Sequence, residues 1–382
     1  MSSAVREDRP LAGPSLDSRF EHVRLEELDL LGAVRECSPE WPAFRDRASL
    51  TPFLQPDYLE VWARMMGRME ACRVVVARDH GDLVGFGPFM IVDDPLGPIR
   101  VPTVRFIGNN VGYPGDVLFS DIATANGGRS TVSRAILERI SRWRVIRWDL
   151  GYIALDSQTT AFATEVLGGP RNGAPLESKP YVRLPLPPTW DSYLERLSGA
   201  VRRNFRRKLR RLGEIGEVNV RIARDPDLVR RTVRELVLNH HRWWDGTNRG
   251  GWFGDDRVER YLEEAAVLLA RQGTFLGFAL EVDGEAIAWN AGAFDGTRYF
   301  EQIISYDRAR TDYSPGMLLE NLVVKALIDL HAQGIELGPG FTELKHEIGG
   351  LPTEYGHLHG YRGWFRAIDA IHQTWVHKPV TP

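Results

Sequence analysis

Cysteine is scarce: Cys37 and Cys72 are the only two in 382 residues. That count excludes a disulfide scaffold and leaves no Cys-x-x-Cys pattern for a metal. Long hydrophobic runs are missing as well. Arg, Asp or Gly interrupts each one before it reaches the roughly 20 apolar residues of a membrane helix. Residues 1–20 are polar, lack the apolar core of a signal peptide and read as a disordered tail. None of the ten histidines stands in a His-Glu-x-x-His helix. The pairs His240–His241 and His357/His359 could in principle ligate, but they read as surface or packed residues. Charge of one sign is not in excess either, the net value being −3, so the whole molecule is not built to bind a polyanion. These absences point to a cytoplasmic protein with no metal and no membrane segment.

What is present is ordinary in amount, 43% hydrophobic and 26% charged, and informative in pattern. Phe275 to Val282 is apolar and aromatic and stops at Asp283-Gly284, a type I′ hairpin signal. Ile287 to Phe294 is a second strand, stopped by the same signal at Asp295-Gly296, and Thr297 to Tyr306 is a third. A loop from Asp307 to Tyr313 leads to Ser314-Pro315, read as a hydroxyl N-cap with Pro at the first helical position. Met317, Leu318, Leu322, Lys325, Ala326, Ile328 and Leu330 carry that helix to a stop at Gly334, and Ile335 to Leu337 is a short strand.

The first half repeats this order more loosely. Cys72 to Ala77 and Leu83 to Val92 flank a His80-Gly81 turn, Val104 to Ile107 and Asp116 to Phe119 are further strands, Ser130 to Trp143 is a helix, and Arg147 to Leu150 is a strand. Pro185 to Pro188 marks a boundary. Beyond it Thr189 caps one helix whose apolar stripe runs from Tyr193 through Leu197, Val201, Phe205 and Leu209 to Leu212, ending at Gly213. A further helix spans Leu228 to about Trp244.

This order of elements is that of a GNAT acetyltransferase core. The residues Leu197-x-x-x-Val201-Arg202-Arg203-Asn204-x-Arg206-Arg207, His241-Arg242-Trp243, Tyr306-Asp307, Tyr313-Ser314-Pro315-Gly316 and Gly338-x-Gly340-x-x-x-x-Lys345 resemble the CelD/BcsL-type acetyltransferases. That group is similar in turn to the Fem-type aminoacyl transferases. The resemblance covers Phe53 to Lys345 and departs at the pyrophosphate loop. There Arg310-x-x-Tyr313-Ser314-Pro315-Gly316 replaces the usual Arg/Gln-x-x-Gly-x-Gly/Ala, and the acidic residue before the late glycines is Glu336. The resemblance implies a mixed α/β (α+β) chain of two tandem GNAT-like domains, each a mostly antiparallel sheet flanked by helices. On this reading residues 21–180 form the first domain and 181–382 the second, which carries the donor site, with the segment after about 355 packing back on the first.

Candidate chemistry starts at the last long helix. Its N-terminus at Ser314-Pro315-Gly316 offers unpaired N–H groups to a phosphate, and Gly316 would admit a close anion. Ile304, Ser305, Tyr306, Arg308, Arg310, Tyr313, Ser314, Pro315, Gly316 and Met317 therefore form the expected acyl-CoA donor site. The resemblance implies that a backbone N–H between Gln302 and Ser305 polarises the donor carbonyl. Glu301, flanked by Phe300 and Ile303, is the first candidate for a base, with Asp307 and Glu343 as alternatives. Lys345 is placed in the catalytic set, against a surface pairing with Glu343 or Glu347. His240, Arg242, Trp243, Trp244, Asn290 and Tyr299 are candidates for binding a small-molecule acceptor, with the Gly-rich segment 246–254 as an aromatic lid. Arg202 to Arg211 holds seven basic residues and no acid. It reads as a solvated face, a coenzyme A phosphate site or an RNA grip, with Arg206, Arg207 and Arg210 as the phosphate or RNA candidates. The expected activity is acyl transfer from acyl-CoA to an amine, or less readily a hydroxyl, by direct attack. Transfer from an aminoacyl-tRNA and a non-catalytic binding role are the alternatives. Oligomeric state is not legible.

Overall fold

The computed structural model describes residues 23–47, 51–108, 117–119, 129–155, 157–167, 178–244 and 255–365. The expected tail at 1–20 and the expected lid at 246–254 lie outside the described residues.

The first half runs β1 (Val23–Leu28), α1 (Leu30–Cys37), α2 (Trp41–Arg47), α3 (Pro56–Met65), β2 (Cys72–Asp79), β3 (Asp82–Leu96), β4 (Ile99–Phe106), β5 (Leu118–Phe119), α4 (Arg129–Ser141), β6 (Arg147–Ala154), α5 (Gln158–Leu167) and β7 (Ser178–Pro185). The second half repeats the theme. It runs α6 (Trp190–Arg196), α7 (Gly199–Gly213), β8 (Val218–Ala223), α8 (Pro226–Trp244), α9 (Asp256–Arg271), β9 (Phe275–Val282), β10 (Glu285–Phe294) and β11 (Arg298–Tyr306). A 3-10 turn (Arg308–Tyr313), α10 (Pro315–Asp329), β12 (Gly334–Pro339), α11 (Glu343–Glu347) and β13 (Leu351–Tyr361) complete it.

Local chemistry explains most boundaries. His80-Gly81 (φ 49° and 97°) and Asp283-Gly284 (51° and 82°) put two successive residues in the left-handed region, as a type I′ turn requires. Asp295-Gly296 is not a second such turn. Only Gly296 has positive φ, at 93°, and the Asp295 carboxylate instead accepts the N–H groups of Thr297 and Arg298 at 2.8 and 2.6 Å. The single helix expected from Thr189 to Gly213 is two helices. Thr189 caps α6, the chain becomes extended at Leu197 (ψ 150°), and Ser198 caps α7 by accepting from Val201 N–H at 3.2 Å. Helix α10 stops at a left-handed His331 (φ 60°), not at Gly334. His331 N–H bonds Ile328 and Ala332 N–H bonds Leu327 at 2.9 Å each, the two bonds of a Schellman ending.

The strands form one sheet in the order β1-β2-β3-β4-β6-β13-β7-β12-β11-β10-β9-β8, with β5 beside β3. Most ladders are antiparallel. The two parallel ones occupy matching places, β4 with β6 and β11 with β12. The halves exchange a strand at the centre: β7 of the first pairs with β12 of the second, and β13 of the second pairs with β6 of the first. Helices α4 and α5 cover one core, α6, α7 and α10 a second, and α3, α8 and α9 a third shared by both halves. Phe53 and Phe300 meet edge to face in that shared core, 6.1 Å apart.

Candidate active site

The parallel ladder between β11 and β12 is short, Arg298–Phe300 against Gly334–Glu336. Two irregularities then drive the strands apart. On β11 the register against β10 shifts between Glu301 and Ile303, leaving Gln302 as an extra residue. On β12 the register against β7 shifts between Glu336 and Gly338, so β12 stays with β7. Residues 301–306 of β11 thus have no strand partner on the β12 side among the described residues. Glu336 closes the narrow end, its carboxylate 3.0 Å from Arg183 and 3.8 Å from Arg298.

A buried polar cluster fills the start of this opening. Asn290 Nδ2 donates to Glu301 Oε2 at 2.7 Å, and Asn290 Oδ1 accepts from the Tyr299 hydroxyl at 2.6 Å. Glu301 also hydrogen-bonds Glu320, which α10 delivers and which is only 4% exposed. Lys345, carried by α11, donates to the carbonyls of Pro339 at 2.9 Å and Gly338 at 3.4 Å, and its charge acts on both acids. Burial pushes the Glu301 carboxyl up, against the pull of Glu320, Asn290 and Lys345. Burial raises Glu320 well above the carboxylate range and the Glu301 charge raises it further. Burial lowers the Lys345 ammonium. With one proton on the carboxyl pair the three groups sum to zero charge, the state a desolvated cluster favours.

The expected donor loop has a different internal logic from the one read in the sequence. Ser314 stands at the N-cap of α10, its carbonyl accepting from Leu318 N–H at 3.1 Å, but it is left-handed (φ 52°, ψ 55°) and its hydroxyl makes no cap bond, accepting instead from the Lys208 ammonium of α7. Pro315 does hold the first helical position. At Gly316 a Cβ would lie 3.0 Å from Tyr306 Cδ1, so the aromatic ring, rather than room for an anion, accounts for this glycine. The first-turn N–H groups of Gly316 and Met317 have no intrahelical acceptor. Arg211 stacks over the Tyr313 ring at 5.5 Å, so α7 and the loop form one surface. Arg308 is exposed and Arg310 partly buried in the 3-10 turn. Asp307 is engaged in capping that turn, accepting from Ala309 N–H at 3.0 Å.

Several expected residues stand elsewhere. Asn290 and Tyr299 are fully buried behind Glu301, bonded to each other, and orient the carboxylate rather than line an open acceptor pocket. Ile304 pairs with Asn290 across the ladder. The Ser305 hydroxyl and the Tyr306 carbonyl both accept from Asn239 of α8, at 2.7 and 2.9 Å. His241 bonds Glu259, and Arg242 is exposed. His240 is half-buried, and burial together with the neighbouring His241 holds its imidazole below the usual range. Trp243 and Trp244 end α8, and their side chains lie outside the described residues. Arg206, Arg207 and Arg210 are exposed on α7, Arg207 donating to Asn204 at 2.9 Å and Arg210 lying 4.0 Å from Glu214. His357 Nε2 donates to Asp149 Oδ1 at 2.8 Å.

Sequence reasoning missed Glu320, Asn239 and Lys208. Glu320 had a signal: it is a charged residue in the apolar run from Met317 to Val324. Asn239 and Lys208 had none, because each looks like an ordinary polar residue on a helix and acquires its role from a distant partner.

The family model described as an acetyltransferase (GNAT) domain matches residues 199–346, the span that contains Lys208, Glu301, Glu320 and Lys345. No curated protein matches the sequence. Among solved structures, the crystal structure of FemX is similar with TM-score 0.55 and 13% identity, over 83% of this chain and 94% of that one. A tandem GNAT protein from the clavulanic acid biosynthesis pathway has TM-score 0.45 and 12% identity, over 89% of this chain and 99% of that one. The likeness to FemX is one of fold. Residues 199–346 thus match the GNAT acetyltransferase family model, and they are set in a larger mixed α/β fold similar to that of FemX.

Proposed function

We propose that the protein is an N-acyltransferase that moves an acyl group from acyl-CoA to the amine of a small acceptor by direct attack. The observation that carries this reading is the buried Glu301–Glu320 pair facing Lys345, set where β11 and β12 part. The amine must lose a proton as its nitrogen forms a bond to the acyl carbon, while the carbon–sulfur bond breaks and coenzyme A leaves as the thiol. Glu301 is the partly accessible member of the pair and receives the proton. Glu320, Asn290 and Lys345 hold it in place. On this reading the phosphate oxygens of the donor go to Lys208, Arg308 and Arg310, beside the start of α10. Neither cysteine is placed for covalent catalysis: both are buried, and burial pushes their thiols up to about 12.

Calorimetry with coenzyme A and acetyl-CoA tests the donor, and Glu301→Gln tests the base. Coenzyme A is expected to bind the wild type and to bind an Arg308→Ala/Arg310→Ala variant more weakly. Glu301→Gln is expected to bind coenzyme A normally and to lose roughly 10²–10⁴-fold in transfer rate. Absence of coenzyme A binding would refute the donor assignment, and full activity of Glu301→Gln would refute the base.

A second reading takes the acyl group from an aminoacyl-tRNA. It is favoured by the exposed arginines of α7, which lie beside the donor loop through the contacts of Lys208 with Ser314 and Arg211 with Tyr313. Salt-sensitive tRNA binding, lost on neutralising Arg206, Arg207 and Arg210, would select it.

A further inference from the structure

A cavity lies where the two halves meet, walled by α3, β3 and β4 of the first and α9 of the second. Its volume is about 290 Å³, the size of a small organic molecule. Trp62, Met90 and Tyr261 give it an apolar floor. Four arginines and two aspartates complete the lining, and their pairing decides its sign. Arg105 is spent internally, 2.7 Å from Asp94 and 3.0 Å from Asp149. Arg257 is held by Asp255 at 2.6 Å. That leaves Arg68 and Arg100, both exposed and neither ion-paired among the described residues, against the single carboxylate of Asp93. Arg100 donates to the Asp93 carbonyl, a neutral acceptor that leaves its charge uncompensated. The floor is rigid from behind. The Tyr261 hydroxyl meets that of Tyr58, which accepts from Gln302 of the β11 bulge at 3.2 Å, so a wall of buried tyrosine separates this cavity from the catalytic strand.

We propose that this cavity binds an organic anion with a short apolar body, its carboxylate or phosphate on Arg68 and Arg100 and its body against Trp62, Met90 and Tyr261. Two guanidinium groups in the lining of a cavity with apolar walls suit that class, because a head group alone would leave the apolar residues wet and an apolar molecule alone would leave two charges uncompensated. The site is independent of the reaction proposed above, and its test does not use the transfer assay.

The experiment is calorimetry on the full chain with four probes: hexanoate, hexyl phosphate, hexylammonium and inorganic phosphate. At least one of the two amphiphilic anions is expected to bind, the stronger of them identifying the head group. Hexylammonium and inorganic phosphate are expected to bind at least tenfold more weakly. Arg68→Ala/Arg100→Ala, at two exposed positions that leave the core untouched, is expected to weaken the anion tenfold or more, whereas Asp93→Asn keeps or improves it. Equal binding of hexylammonium, equal binding of inorganic phosphate, or unchanged binding by the double variant would each overturn the proposal. Coenzyme A titrated into the same preparations reports separately on the donor site.

Discussion

Two carboxyl groups in contact inside a folded domain are a residue-scale problem that a proton solves. Glu301 and Glu320 both have raised affinities for that proton, through burial first and then, for Glu320, the charge of Glu301. A raised carboxyl contributes stability that is complete below the ordinary carboxylate range and is lost as pH climbs through the raised value. Stability of the wild type should therefore decline toward alkaline pH. In Glu320→Gln an amide replaces one carboxyl, keeps a donor for Glu301 and removes the like-charge contact. The expected outcome is a urea midpoint that falls less between about pH 6 and pH 9 than in the wild type. Equal slopes for the two proteins would mean that the pair holds no proton. Asp149 shows the opposite solution in the first half. Burial alone would raise it, but the bond from His357 and the charges of Arg105 and Arg147 hold it down to about 2.

At the scale of elements, the two parallel ladders differ in the residue that succeeds each of them. Glu301 comes directly after the last paired residue of β11, Phe300, and Arg105 directly after the last paired residue of β4, Val104. In the first half this position is locked by ion pairs with Asp94 and Asp149, and among the described residues the carboxyl pair stands in the second half. The break between α6 and α7 also belongs here. Arg202 donates back to the Leu194 carbonyl at 2.9 Å, stitching the two helices, and Ser198 caps the second. Ser198→Ala should cost about 1 kcal/mol, read from denaturant melts, with the fold unchanged. The meander and α10 were legible because tight turns and an apolar stripe are written locally. The helix break was not, since the apolar spacing from Tyr193 to Leu212 runs through it and only the extended backbone at Leu197 reveals it. Glu301 was legible from its apolar neighbours on a strand. Asn290 and Lys345 were singled out separately, but their convergence with Glu320 on Glu301 was not legible, because they come from β10, α11 and α10, which only the folded sheet brings together.

On the scale of the whole molecule, the exchanged strands β7 and β13 make the halves interdependent. Leu358 is buried in β13 opposite Gly151 of β6, and β13 is flanked on its other edge by β7. Leu358→Pro puts a proline inside β13, next to the register shift at Leu358/His359, and removes a core side chain. A loss of about 2–5 kcal/mol is expected from the missing packing alone. Unfolding should stay a single transition, and hydrogen exchange should speed up in both β6 and β12. Loss of protection confined to one half would show that the exchange does not couple them.

The same exchange sets a timetable for synthesis. When β6 leaves the ribosome its first neighbour, β4, has already been made, but its second, β13, is encoded after the whole of residues 199–346, which match the family model. The first half therefore waits with a bare strand edge while α6 through α11 are translated, and that edge is a template for mispairing with another nascent chain. Folding of this protein is completed from its far end, and a nascent chain stalled before Leu351 would hold two unfinished domains rather than one finished and one missing.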